Sequence, residues 1–219
     1  MKCTHPDHND NETCENRAVG CHPDCLCCIV PHPTITNAQA IATKAHKDQK
    51  RKWGLQEPYI IHPQWCANKA KEVGLTIIQQ ATMWLHDVIE DIALPHNDVI
   101  YWENQILNGC GAEVLSLCWE LTNRSDLPEW IDKQPLGPIR REAKWKANLE
   151  HLKSVSDIAK QCKMIDRIHN VQSMVDAPYK MKLKYIPESH QLLEVCAYTH
   201  PLLANELETS INNLELSVK

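Results

Sequence analysis

TIIQQATMWLHDVIEDI, running from Thr76 to Ile92, is the stretch that decides how this chain folds. Ile77, Ile78, Ala81, Trp84, Leu85 and Val88 recur at helical spacing, so the segment reads as one α-helix with an apolar face. Set into it are His86, Asp87, Glu90 and Asp91. Positions four apart share a helical face, which stacks His86 with Glu90 and Asp87 with Asp91. Burying one imidazole and three carboxylates without partners is costly for each ion. A divalent cation removes most of that cost, and imidazole with carboxylate suits Mn, Fe or Zn. The alternative is an exposed acidic patch, against which stand the adjoining Trp84 and Leu85.

Working outward, the same periodicity recurs on both sides. Asn37 is the expected N-cap of a helix through Lys50, with Ala38, Ile41, Ala42 and Ala45 on one face. Residues 51–58 read as a loop, and His62-Pro63 opens a second helix to about Val73. Further helices are expected over Asn97–Gly109 and Ala112–Leu121, with Pro95 as a stop before them. Residues 122–138 hold three prolines without a period and read as a loop. A long helix follows from about Ile139 through Met174, with a break near Ser154–Ser156. Pro178 and Pro187 bracket a short segment, and Glu188–Leu214 closes the chain as one or two helices. No segment alternates with period two, so the fold class is all-α, a helical bundle with a short irregular extension.

That extension is residues 1–33, ahead of a main domain over 34–219. Six of the chain's 11 cysteines, Cys3, Cys14, Cys21, Cys25, Cys27 and Cys28, lie there with His5, His8 and His22. A segment so short cannot bury a core, and four or more of these nine side chains around Zn²⁺ would order it. A disordered tail or redox-active thiols are the alternatives. Cys66, Cys110, Cys118, Cys162 and Cys196 are scattered singles, expected as core residues rather than as a secreted disulfide framework. The N-terminus lacks the pattern of a signal peptide, and no apolar run reaches the roughly 18 residues of a membrane span. The cytoplasm is the expected compartment. Net charge of −5 and a pI near 6.2 leave no footprint for nucleic acid. The basic clusters Lys44, Lys47, Lys50, Arg51, Lys52 and Arg140, Arg141, Lys144, Lys146 suit a small anionic ligand, or are solvated helix faces.

Two more pieces carry chemistry. In KMIDRIHN, Lys163 to Asn170, Asp166 and Asn170 lie four apart on a helix whose stripe is Ile158, Cys162, Ile165 and Ile168. His62 starts a helix after Tyr59-Ile60-Ile61. Taken in order, AHKDQKRK (Ala45–Lys52), EPYIIHP (Glu57–Pro63), LHDVIED (Leu85–Asp91) and KMIDRIHN resemble the HD superfamily. More narrowly, they resemble the hydrolase domain of RelA/SpoT proteins and the small alarmone hydrolases, from about Ile35 to Met174.

The resemblance implies one metal, usually Mn²⁺, though Fe²⁺ or another divalent ion is open, held by His62, His86, Asp87 and Asp166. It implies that Glu90 and Asp91 act on groups around the attacking water, that Arg51 and Lys52 flank a guanine base, and that Asn170 shapes the nucleoside pocket. Cations for the phosphates would come from Lys44, Lys52, Arg140, Arg141 or Lys144. The implied reaction is removal of the 3′-diphosphate from guanosine tetra- or pentaphosphate. Another phosphorylated nucleotide, or a non-catalytic zinc-binding adaptor, remains open. Departures are the loop Gly54-Leu-Gln-Glu57 ahead of Pro58 and Gln172 where Arg is frequent. Trp53 is expected to cover its loop or stack on a base, and His46 and His169 are expected to be structural. About 45 residues follow Met174, too few for a synthetase domain, so a stand-alone hydrolase is expected. The oligomeric state is left open.

Overall fold

The computed structural model describes residues 32–52, 56–123 and 137–219. The Cys/His-rich set Cys3–Cys28, Trp53 and most of the 122–138 loop lie outside them. Among the described residues the fold is all-α, with a single isolated bridge between Lys50 and Pro58 and no strand.

The helices are α1 (Pro33–Ala45), α2 (Ile61–Glu72), α3 (Ile77–Leu85), α4 (Val99–Cys110) and α5 (Ala112–Leu121), then α6 (Pro138–Ser154), α7 (Asp157–Ser173), α8 (Tyr179–Cys196) and α9 (Pro201–Leu216). Local chemistry sets their ends. At α3, Thr76 Oγ1 accepts from the Gln79 amide while Gln79 Oε1 accepts from the Thr76 amide, a reciprocal cap. Thr76→Ala is expected to cost about 1 kcal/mol, read as a melting point lower by roughly 2–4 °C. Ser156 caps α7 through the Ala159 amide, which fixes the expected break between α6 and α7. Gly74, at φ +76°, ends α2, and the next amide, Leu75, reaches back to the Ala70 carbonyl.

The bundle is organised around α3 and α7. α3 packs against α1, α2 and α5, and α7 against α2, α8 and α9. Met83, Leu85 and Ile89 from the first strip meet Met164, Ile165 and Ile168 from the second in one core. All five described cysteines are buried free thiols, and burial raises the pKa of Cys162 to about 12. They pack as small apolar residues.

Five expectations are corrected. α1 begins at Pro33, whose missing N–H costs nothing at a helix start, with His32 as the cap. Asn37 lies inside the helix and donates to the Gly109 carbonyl. α1 also ends at Ala45, because the chain must turn for Arg51 to pair with the Glu57 carbonyl. The 76–92 segment is not one α-helix: α3 stops at Leu85, and Val88–Ala93 is wound as a π-helix. Pro95 sits in a further helical turn, Leu94–His96, and the reversal falls instead at Asn97, at φ +58°. Pro187 stands inside α8 rather than ahead of it, so the two prolines do not bracket a short segment.

Candidate metal centre and nucleotide cavity

Three elements converge on one point. His62 comes from the first turn of α2, His86 and Asp87 from the junction between α3 and the π-helix, and Asp166 from the middle of α7. His62 Nε2 lies 3.1 Å from His86 Nε2, 3.5 Å from Asp87 Oδ2 and 3.2 Å from Asp166 Oδ1. His86 Nε2 is 3.0 Å from Asp87 Oδ2 and 3.8 Å from Asp166 Oδ1. Donor atoms of His62, His86 and Asp87 form a possible metal-holding group.

The outer contacts fix which atoms face inward. His86 Nδ1 donates to the Met83 carbonyl at 2.9 Å, which leaves Nε2 facing Asp87 and Asp166. His62 Nδ1 is 2.6 Å from His169 Nδ1, with the two rings stacked at 4.9 Å and Trp65 against the far face. Tyr59 donates to Asp87 Oδ2 at 2.6 Å, and Asn170 to Asp166 Oδ1. Burial raises the Tyr59 pKa, keeping its hydroxyl a donor.

Electrostatically the four atoms demand positive charge between them. Burial disfavours the His86 cation, but Asp87 and Asp166 outweigh it and raise its pKa to about 10. Burial dominates at His62 and lowers its pKa. The Asp87 and Asp166 carboxyls are held below the ordinary range despite burial, by His86 and by Lys163 respectively. Two imidazole Nε2 atoms 3.1 Å apart with two carboxylates are a donor set that fits a divalent ion, which would take the place of the His86 proton. Oriented outer partners such as Met83, His169 and Asn170 are what such a set requires.

The site opens into a cavity of about 530 Å³. Arg51, Lys52, Asn170, Glu90 and Asp91 all line it, with Asp87 and Asp166. Arg51 Nη2 donates to Asn170 Oδ1 at 3.2 Å and to Ser173 Oγ at 3.1 Å, with the guanidinium over the Tyr59 ring. Glu90 and Asp91 diverge rather than stack on their helical neighbours. Glu90 accepts from the Asn123 amide and side chain, at 3.0 and 2.8 Å, at the end of α5. Asp91 accepts from Gln49, which holds His46 Nδ1 through its carbonyl oxygen. Burial raises the Glu90 pKa, opposed by Lys163 and by the Asn123 hydrogen bonds.

Lys44, Arg140, Arg141 and Lys144 are not among the lining residues. Lys44 instead donates to the Tyr101 hydroxyl on α4. The lining cations that the sequence reading did not single out are Lys163 and Arg167. Lys163 Nζ is 3.1 Å from Asp166 Oδ2, a pairing that its position three residues ahead of Asp166 already offered. His169, expected to be structural, touches His62, and with His62 and Cys66 it forms a second possible metal-holding group among the described residues.

Fold and donor set together define the class: an all-α helical bundle with a buried imidazole–carboxylate centre that could hold a metal ion. Among curated proteins, the chain is 27% identical over 144 residues to guanosine-3′,5′-bis(diphosphate) 3′-pyrophosphohydrolase MESH1 of Xenopus tropicalis, covering 64% of this chain and 69% of that protein. Among solved structures it matches "A metazoan ortholog of SpoT hydrolyzes ppGpp and plays a role in starvation responses", with a TM-score of 0.69 and 19% identity. That match covers 84% of this chain and 97% of the other. No family model matches the chain. No described helix is long and apolar enough to cross a membrane.

Proposed function

We propose that this protein is a metal-dependent 3′-pyrophosphohydrolase of guanosine tetra- and pentaphosphate, releasing pyrophosphate with GDP or GTP. The observation that carries this reading is the convergence of His62 Nε2, His86 Nε2, Asp87 Oδ2 and Asp166 Oδ1 at the floor of a cavity lined by Arg51, Lys52 and Asn170. The relative named as a 3′-pyrophosphohydrolase of this nucleotide supports it.

His62, His86, Asp87 and Asp166 would hold the ion, with Mn²⁺ the favoured metal. When bound, the ion supplies an acidified water and polarisation of a phosphoryl oxygen. The chain's own side chains do the rest. Arg51 and Lys52 receive the guanine base, and Asn170, fixed between Arg51 and Asp166, shapes the nucleoside pocket. Glu90, whose pKa burial raises, takes the proton from the attacking water and returns one to the leaving oxygen. Asp91, held by Gln49, positions the groups around it. Lys163 offsets the carboxylate charge that would otherwise repel the substrate.

Purified protein with Mn²⁺ and guanosine tetraphosphate is expected to release pyrophosphate. Orthophosphate as the only phosphorus product would overturn the reading, and a panel of adenosine and guanosine phosphates separates neighbouring substrates. His169→Ala is expected to weaken metal affinity about 10- to 100-fold by freeing the His62 ring, with the change read by metal titration of the folded protein. The Cys/His set between Cys3 and Cys28 is proposed on ligand chemistry to bind zinc. Deleting residues 1–31 should then remove zinc and leave the Mn²⁺ titration unaltered.

A further inference from the structure

Arg167 is the least explained charge in the molecule. It is only 7% exposed, yet its Nε and Nη1 have no hydrogen-bond partner. An isolated buried cation is expensive, and unsatisfied buried donors are rare in native structures. No ion pair of Arg167 with a carboxylate is found among the described residues. Its guanidinium is instead held by two rings, 4.3 Å from the centroid of Tyr185 on α8 and 5.2 Å from that of Trp145 on α6. Aromatic faces stabilise a cation without using its N–H groups, so the donors stay free for a ligand. Trp145 is itself fixed by its indole N–H donating to Gln191.

Position supplies the second observation. Arg167, Tyr185 and Trp145 all line the same cavity as Asp166 and Lys163. Successive residues of an α-helix turn by about 100°, so Arg167 faces the α6–α8 wall while the adjacent Asp166 faces His62. Arg51 and Asn170, which receive the nucleoside in the reading above, pair with each other and with Ser173 rather than with this wall. A planar fork with free donors, in a cavity whose floor handles phosphoryl chemistry, matches an oxygen-rich, multiply charged anion.

We infer that Arg167, clamped between Trp145 and Tyr185, binds a diphosphate group of the substrate. The inference rests on the proposed function for the nucleotide class but not for its test, since inorganic pyrophosphate and GDP bind whether or not turnover occurs. With Mn²⁺ in excess, each ligand is expected to raise the melting temperature of the wild-type protein. In Arg167→Met and Arg167→Lys the affinity for one of them falls by roughly tenfold or more, the worth of a charge-assisted hydrogen bond. Loss of pyrophosphate affinity alone identifies the released group, and loss of GDP affinity alone the retained one. Unchanged affinity for both ligands in folded Arg167→Lys overturns the inference. If neither Arg167 variant folds, Trp145→Leu carries the test: severalfold weaker binding of either ligand supports the clamp, and unchanged binding of both overturns it. Arg167-dependent binding without hydrolysis of guanosine tetraphosphate would remove the proposed function and leave this subsite standing.

Discussion

His86→Ala protein is expected to hold no divalent ion in the bundle and to turn over its substrate at least about a thousandfold more slowly than wild type. The reason is geometric. His86 Nε2 lies 3.1 Å from His62 Nε2 and 3.0 Å from Asp87 Oδ2, and its ring cannot rotate away while Nδ1 is held by the Met83 carbonyl. Removing that ring takes one of four donors from a buried centre where, among the described residues, only His62 offers a second inward imidazole. His169 is engaged with the far side of His62. Folding reports the same event without any assay of activity. An ion present at about a hundredfold its dissociation constant stabilises the folded state by about 2.7 kcal/mol. For a chain of this length that corresponds to a melting point higher by roughly 5–10 °C. Wild type should show this shift on adding Mn²⁺ and His86→Ala should not, with helical content unchanged by circular dichroism. A variant that still binds one equivalent and still shifts would remove His86 from the ligand set.

What was legible in the sequence follows from how local the determining physics is. The all-α class could be read because apolar positions repeat at helical spacing in nearly every segment, and α5 falls where its periodicity places it. His86 and Asp87 stand out as candidate donors because such side chains beside Trp84 and Leu85 have few other uses, whereas only the resemblance joins His62 and Asp166 to them; the four side chains do converge. The π-helix over Val88–Ala93 could not. Its winding depends on where Glu90 and Asp91 find partners, Asn123 and Gln49, and both lie more than thirty residues away in sequence. Reading the segment as a regular helix put Glu90 under His86; the observed winding sends Glu90 toward α5 and Asp91 toward the turn after α1. π-Segments are frequent at functional sites, and this one carries both Glu90 and Asp91. Lys44, Arg140, Arg141 and Lys144 were picked by charge, a property that does not say which way a helix face points. Arg167 was passed over for the converse reason, since its aromatic partners come from α6 and α8 and are not visible in a local window.

Glu90→Gln should separate proton transfer from metal binding: kcat falls about 10²- to 10⁴-fold, as for loss of a positioned general base, while the Mn²⁺ content stays at the wild-type level. Gln preserves length and shape but cannot take a proton at neutral pH. It also turns an NH₂ toward one of the two Asn123 donors, so a small loss of stability accompanies the larger loss of rate. The dependence on pH gives the sharper measurement. Burial raises the Glu90 pKa, and the Asn123 hydrogen bonds, which favour the carboxylate, partly oppose that rise. Asn123→Ala removes the side-chain bond, so the pKa should climb further. A base must be ionised to act, so activity is lost as pH falls through that pKa. The acid limb of the kcat profile in Asn123→Ala should therefore move to higher pH, with the metal kept saturating. An acid limb that stays in place in Asn123→Ala, or a Glu90→Gln enzyme that keeps wild-type kcat, would assign the proton to another group, with Asp91, which lines the same cavity, the next carboxylate to test.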